Sequence, residues 1–245
     1  MRRAVELFSI ERMASRSPFI EETWQARSEP EEFFISVAAS HWEIVITRQS
    51  SMSRLTVRGP ETKATTVPIP ADAEFFGIQF TLGTFMPSLR PAQLVDRSLI
   101  LPLVSETSFW LDGAAWELPG PGNADVFVER LVRAGLLAHD PLVPRALQGD
   151  LTGLSTRSIQ RRVSRATGLT RGAIRQIERA EGAVELLARG VSAPDVARRA
   201  GYADQSHLTR SLGRFVGQTP SQVVTSAAGE PEPSLSFKTA SPPRR

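Results

Sequence analysis

The sequence predicts an α+β protein, a β-rich N-terminal domain followed by an all-α domain in which two helix-turn-helix units are joined by a linker helix. Three observations point there. Acidic and aromatic residues crowd the first 141 positions, whereas the next stretch is basic and nearly free of aromatics. Short apolar runs broken by Gly, Pro and Ser dominate the first part. In the second part, two segments offset by 49 residues repeat one helical pattern.

The asymmetry of charge is large although the net charge of the 245-residue chain is only +3. Residues 1–141 carry 13 basic and 18 acidic side chains, whereas residues 142–225 carry 13 arginines, no lysine and 6 acids. Segregation of this kind points to an anionic partner for the basic part, although a solvated basic face gives the same count. Of the 17 aromatic residues, 14 precede residue 142. The expected domains are therefore 1–140, 141–225 and a Pro- and Ser-rich tail, 226–245, expected to be disordered. The absence of cysteine excludes a disulfide framework and thiolate metal sites. The N-terminus lacks the apolar run of a signal peptide, and no stretch approaches the roughly 20 apolar residues that span a bilayer. A cytoplasmic protein is the expectation.

In the first part, Phe33–Ala38, Trp42–Thr47, Arg54–Val57 and Phe75–Phe80 read as strands, rich in Val, Ile and Phe. The segments 59–62 (GPET) and 67–72 (VPIPAD) read as turns or loops. Asn123 is placed to cap a helix over 124–139, with Val126, Phe127, Leu131 and Ala134 at helical spacing.

The repeat carries most of the functional information. Aligning 155–170 with 204–219 puts Ile159 on Leu208, Arg161 on Arg210, Val163 on Leu212, Arg165 on Arg214 and Gly168 on Gly217. Each copy predicts a helix with apolar residues at i and i+4, arginines at i+2 and i+6, and a glycine suited to the left-handed position beyond the helix end. Before the second copy, Ser192 caps a short helix, Gly201 makes a turn and Asp204 caps the next helix, which is the helix-turn-helix order. Before the first copy, Val143, Ala146 and Leu147 mark the shorter helix, and the turn over 149–154 is long. Between the copies, Ile174, Ile177, Val184 and Leu187 form the stripe of a connecting helix over 171–189. At ~1.5 Å per residue it spans roughly 28 Å, close to the roughly 34 Å of one DNA turn.

On these residues the chain resembles a known family. GYADQSHLTRSLGRFVGQTP is similar to the C-terminal signature of the AraC/XylS transcription regulators, and SxRxxQRR followed by TGLT resembles their first recognition helix. The resemblance covers about 142–225, a third of the chain. The first 140 residues resemble, more loosely, the β-rich sensor domain of one group of these regulators, through VRGPET and FGIQF. The resemblance implies binding to double-stranded operator DNA and contact with RNA polymerase. It also implies, for many members, a small-molecule effector bound by the N-terminal domain. A homodimer is a further expectation.

The resemblance also implies that the outward face of each recognition helix reads bases, which here means Arg157, Gln160 and Arg161, then Gln205, Ser206, Thr209 and Arg210. The chemistry suits the task, since Arg can bridge guanine O6 and N7, and Gln adenine N6 and N7. Arg162, Arg165 and Arg214 are expected at phosphates or in surface ion pairs. His207 sits beside the reading face, and Tyr202 is expected to pack beside the turn. Trp24, Trp42, Phe75, Phe76, Phe80, Trp110 and Trp116 are candidates for an apolar effector pocket, with Trp42, Phe76, Phe80 and Trp110 preferred; core packing is the plainer role for such aromatics.

No enzyme is expected. His41, His139 and His207 are the only histidines and lie far apart, without metal-ligand spacing, and GxSxG and GxxxxGK[ST] are absent. No cofactor or metal is expected. Competing readings are a DNA-binding protein of repair or architectural role, a regulator without an effector, and an interaction module whose basic face is incidental. A repair factor would be expected to bring a reactive cysteine, which this chain lacks.

Overall fold

A computed structural model describes residues 8–28, 32–50, 52–149 and 155–227. The first part contains β1 (Phe8–Met13), β2 (Ile20–Ser28), β3 (Glu32–Ser36), β4 (Glu43–Gln49), β5 (Met52–Arg58), β6 (Thr65–Ile69), β7 (Ala73–Phe80) and β8 (Thr84–Phe85). These are followed by α1 (Pro91–Leu94), β9 (Ser98–Leu101), β10 (Leu103–Ser105), β11 (Ser108–Leu111), β12 (Ala114–Glu117), α2 (Ala124–Arg133) and β13 (Ala138–His139). The main sheet has six antiparallel strands in the order β1-β2-β7-β4-β5-β9. Side chains alternate across it. One face carries Ile44 and Ile46, Leu55 and Val57, and Phe76, Ile78 and Phe80, packed with Phe127, Val128 and Leu131 of α2 and with Phe109. Each such burial contributes about 1.5–3 kcal/mol. The other face, with Trp24, Glu43, Val45, Thr56, Arg58 and Phe75, lines a cavity that the β3–β6 hairpin helps to enclose.

All four expected strands are present with small shifts of boundary, and four local expectations need correction. Residues 67–69 belong to strand β6, because Pro68 sits in a two-stranded ribbon, where its missing N–H costs no second neighbour. The expected 124–139 helix stops at Arg133, ended by Gly135 at φ +72°, and Ala138–His139 pair with β8 instead. Val126 points outward at 55% exposure. Asn123 does precede α2, but its side chain accepts from the Gly120 amide (2.7 Å) rather than from the helix.

The second part is helical: α3 (Leu142–Gln148), α4 (Thr156–Thr167), α5 (Arg171–Ala188), α6 (Ala193–Arg199), α7 (Gln205–Phe215) and α8 (Pro220–Ala227). The stripe Ile174, Ile177, Val184 and Leu187 is buried as the spacing predicts. It joins Ile159 and Val163 of α4, Val196 of α6, Leu208, Leu212 and Phe215 of α7, and Val223 of α8 in one core. Of the tail, 226–227 complete α8, and 228–245 lie outside the described residues.

The two parts touch through backbone. The amide of Ala38 donates to the Phe215 carbonyl (2.7 Å), and that of Ala64 to the Arg214 carbonyl (2.8 Å). These are among the last carbonyls of α7, which have no partner inside the helix. At the end of α4, Gly168 takes φ +75°, and an added Cβ would stand 2.7 Å from the Pro91 carbonyl.

Candidate nucleic-acid interface

Helices α4 and α7 begin 49 residues apart, at Thr156 and Gln205, and are built alike. Ser155 accepts from the amide of Ser158, and Asp204 from that of His207 (2.6 Å), so each helix carries an N-cap. Gly168 and Gly217 follow in the left-handed region, at φ +75° and +76°. Thr170 and Ser192 cap α5 and α6 in the same manner. Replacing the cap in Asp204→Ala is expected to cost about 1 kcal/mol of stability. Denaturant unfolding of the full chain checks it, and an unchanged midpoint would show that the cap contributes nothing.

The buried side of each helix is apolar, and the opposite side is basic and polar. Arg157, Gln160 and Arg161 are exposed on α4, as are Gln205, Ser206 and Arg210 on α7. Thr209 is half-buried, with its hydroxyl donating to the Gln205 carbonyl (2.9 Å). At roughly 100° per residue these positions form one stripe on each helix. The repeat adds residues that sequence reasoning passed over. Thr156 is the counterpart of Gln205, and Ser164 and Gly213 extend the stripes by a turn; the offset that matched the arginines could have found all three.

The other candidates divide. Arg162 lies roughly 140° around α4 from Arg157 and pairs with Asp140 (3.6 Å), which turns it toward the segment entering the helical part. Arg165 is exposed. The Arg214 guanidinium lies 5.0 Å over the Phe215 ring. Tyr202 is buried beside the turn, its hydroxyl 3.1 Å from that of Ser211, and Arg179 of α5 lies 4.6 Å over its ring. His207 meets Tyr202 edge-on, and its Nδ1 accepts from the Ala203 amide, so the ring faces the turn.

The cavity under the β3–β6 hairpin holds about 630 Å³. Trp24 and Phe75 line it. The preferred aromatics do not: Trp42 and Phe80 stack at 4.0 Å within the core, Phe76 is buried beside them, and Trp110 is exposed on β11. Trp116 lies under the Arg130 guanidinium. Richness in aromatics marks the domain core, and only strand parity tells which ring faces the cavity. The cavity has an ionic wall. Arg58 contacts Glu43 (3.2 Å) and Glu61 (2.6 Å) and donates to Ser36 (2.8 Å), which also donates to Glu61 (2.7 Å). Burial alone would lower the Arg58 pKa, but the two carboxylates hold it above the ordinary arginine value. Trp24 donates its ring N–H to Glu43 (3.0 Å). Among the described residues no group of His, Cys, Asp and Glu could hold a metal ion, and no helix is long and apolar enough to cross a membrane.

Paired helix-turn-helix units that share a linker helix define a DNA-binding domain. Residues 149–226 match the family model described as a helix-turn-helix domain. The chain is 32% identical over 114 residues to the HTH-type transcriptional regulator RipA of Corynebacterium glutamicum, an alignment covering 46% of this chain and 33% of that protein. The chain thus spans about a third of the length of that relative. Two crystal structures of ToxT from Vibrio cholerae are similar at TM-scores of 0.39 and 0.38. Their identities are 10% and 11%, they cover 89% and 92% of this chain, and the match takes in 98% and 100% of theirs. A likeness this loose bears on no function.

Proposed function

We propose that this chain is a sequence-specific transcription regulator that binds double-stranded DNA by placing α4 and α7 in two successive major grooves. The observation that carries the reading is the duplicated unit: two capped helices, each with an exposed arginine-bearing stripe, packed on one linker helix. Helix α5 has 18 residues and extends about 27 Å, a length suited to helices one DNA turn apart. Arg157, Gln160, Arg161, Gln205, Ser206, Thr209 and Arg210 contact bases in this reading, while Arg165 and Arg214 contact phosphates. The β-rich part holds a small-molecule effector in the cavity and passes its state to α7 through the Ala38 and Ala64 contacts. RNA polymerase and a second copy of the chain are the partners that the family resemblance adds.

Selection of duplexes from a random library by the full chain, followed by footprinting, tests the core of this reading. Two protected half-sites about 10 base pairs apart are expected; one compact footprint, or no enrichment, would overturn it. Binding should also weaken steeply with salt, with a log–log slope of roughly −0.9 per phosphate neutralised. A flat response between low and moderate salt would rule out groove docking.

A further inference from the structure

We infer that Arg175 and Arg179 of the linker helix α5 are positioning residues: they set how the two helix-turn-helix units are rotated about α5, and with it the half-site spacing that the chain prefers. This rests on the DNA-binding reading above and goes beyond it, since neither arginine contacts a base or a phosphate in that reading.

A helix fixes how far apart two units attached to it stand, but not how each unit is turned about its axis. The apolar stripe of α5 holds both units, yet hydrophobic contact is non-directional and sets that turn weakly. Directional bonds set it better, and α5 makes one to each unit. Arg175 donates through Nη2 to the carbonyl of Leu147 (3.5 Å), in the last turn of α3. Arg179 donates through Nη1 to the carbonyl of Gly201 (3.5 Å), in the turn between α6 and α7. Carbonyls at a helix C-terminus have no acceptor role inside the helix, so they are open to such a donor. Four residues separate the two arginines, which places them ~6 Å apart along α5 and roughly 40° apart around it. Both units are therefore held from one side of the same helix, within little more than one turn.

The hold on the second unit reaches the recognition helix itself. The Arg179 guanidinium lies 4.6 Å over the ring of the buried Tyr202. The Tyr202 hydroxyl is 3.1 Å from that of Ser211 on α7, and His207 of α7 meets the same ring edge-on. A continuous chain of contacts thus runs from α5 through Arg179 and Tyr202 to α7. No ion pair draws either arginine to a carboxylate among the described residues. Stacking on a ring while donating to a carbonyl suits a planar guanidinium, and an ammonium does not reproduce it. The consequence for binding is geometric. One base pair more or less between half-sites moves the second site by ~3.4 Å and turns it by roughly 35° about the duplex. Units held at a set rotation accept that change poorly.

Two measurements on the full chain test this, one with DNA and one without. In the first, the two selected half-sites are placed at the selected spacing and at one base pair less or more. The unaltered chain should lose about tenfold or more in affinity at either shifted spacing. Arg175→Ala combined with Arg179→Ala should cut that loss to about threefold or less, with the penalty for a wrong base pair inside either half-site unchanged. In the second, Gln160→Cys and Ser206→Cys put one spin label on each recognition helix, which the absence of native cysteine makes specific. The distance distribution between the labels should be narrow, and should broaden or shift when both arginines become alanine. Lysine at both positions should restore neither the spacing preference nor the narrow distribution. Unchanged spacing preference together with unchanged label distances overturns the inference. Recovery by lysine, with a salt slope that falls by about one for each arginine removed, overturns it in favour of phosphate contacts. If the double variant does not fold, Arg175→Ala alone decides, because Arg175 is exposed; label distances left unchanged by it overturn the inference. Failure to select any duplex with two half-sites sinks the DNA reading instead, and label distances that still respond to the substitutions uphold the positioning role.

Discussion

Leu208→Ala is expected to destabilise the helical part by about 2–5 kcal/mol, the cost of emptying a fully buried leucine site. Leu208 is 0% exposed and sits in the core shared by α4, α5, α6, α7 and α8. Its loss withdraws packing from the second helix-turn-helix unit and from the spine that positions the first. Guanidinium unfolding followed by circular dichroism measures the change. Arg210→Ala, two residues away on the exposed side of α7, should leave the midpoint within about 0.5 kcal/mol. A Leu208→Ala loss below about 1 kcal/mol would mean that α7 is not anchored through this face.

Arg161→Ala and Arg210→Ala should each weaken the selected site by about 1–3 kcal/mol, roughly 5- to 150-fold, and relax discrimination at the base pair each arginine reads. The two occupy equivalent positions 49 residues apart, both exposed. Arg165→Ala is the contrasting case, since a phosphate contact positions without reading sequence. It should weaken selected and random duplexes in equal proportion. Competition binding with both duplexes separates the outcomes. If all three variants lose selected and random DNA alike, the assignment of base readers is wrong.

The helical part was the more legible in sequence, for a physical reason. Its signals are local: Ser192 and Asp204 cap where expected, Gly201 turns, Gly168 and Gly217 end helices, and the 49-residue offset repeats the whole set. The β-rich part depends on long-range pairing, and its cues are weaker. Strand β2 is hard to see because IEETWQARS holds only Ile20, Trp24 and Ala26 as apolar residues, and the charged Glu22 shares the cavity face with Trp24. Strand β6 was hidden by Pro68. In β4, Glu43-Ile44-Val45-Ile46-Thr47 reads as a nearly continuous apolar run, so the parity that sends Val45 to the cavity and Ile46 to the core could not be set until β7 supplied its partners. For the same reason Trp24 and Phe75 could be named among the aromatics but not ranked above Trp42, Phe76, Phe80 and Trp110.

The contacts from Ala38 and Ala64 bear on how freely the two halves can be recombined. A chimera that joined this helical part to an unrelated N-terminal domain would leave the Arg214 and Phe215 carbonyls without the amides that close them here. It would also uncover Ala38's neighbours in the shared core, among them Phe215 and Val216. Grafts that keep segments 36–39 and 59–64 with the helical part should therefore tolerate exchange of the remaining sheet better than a cut at residue 140. The natural seam for engineering runs through the fold rather than along the chain.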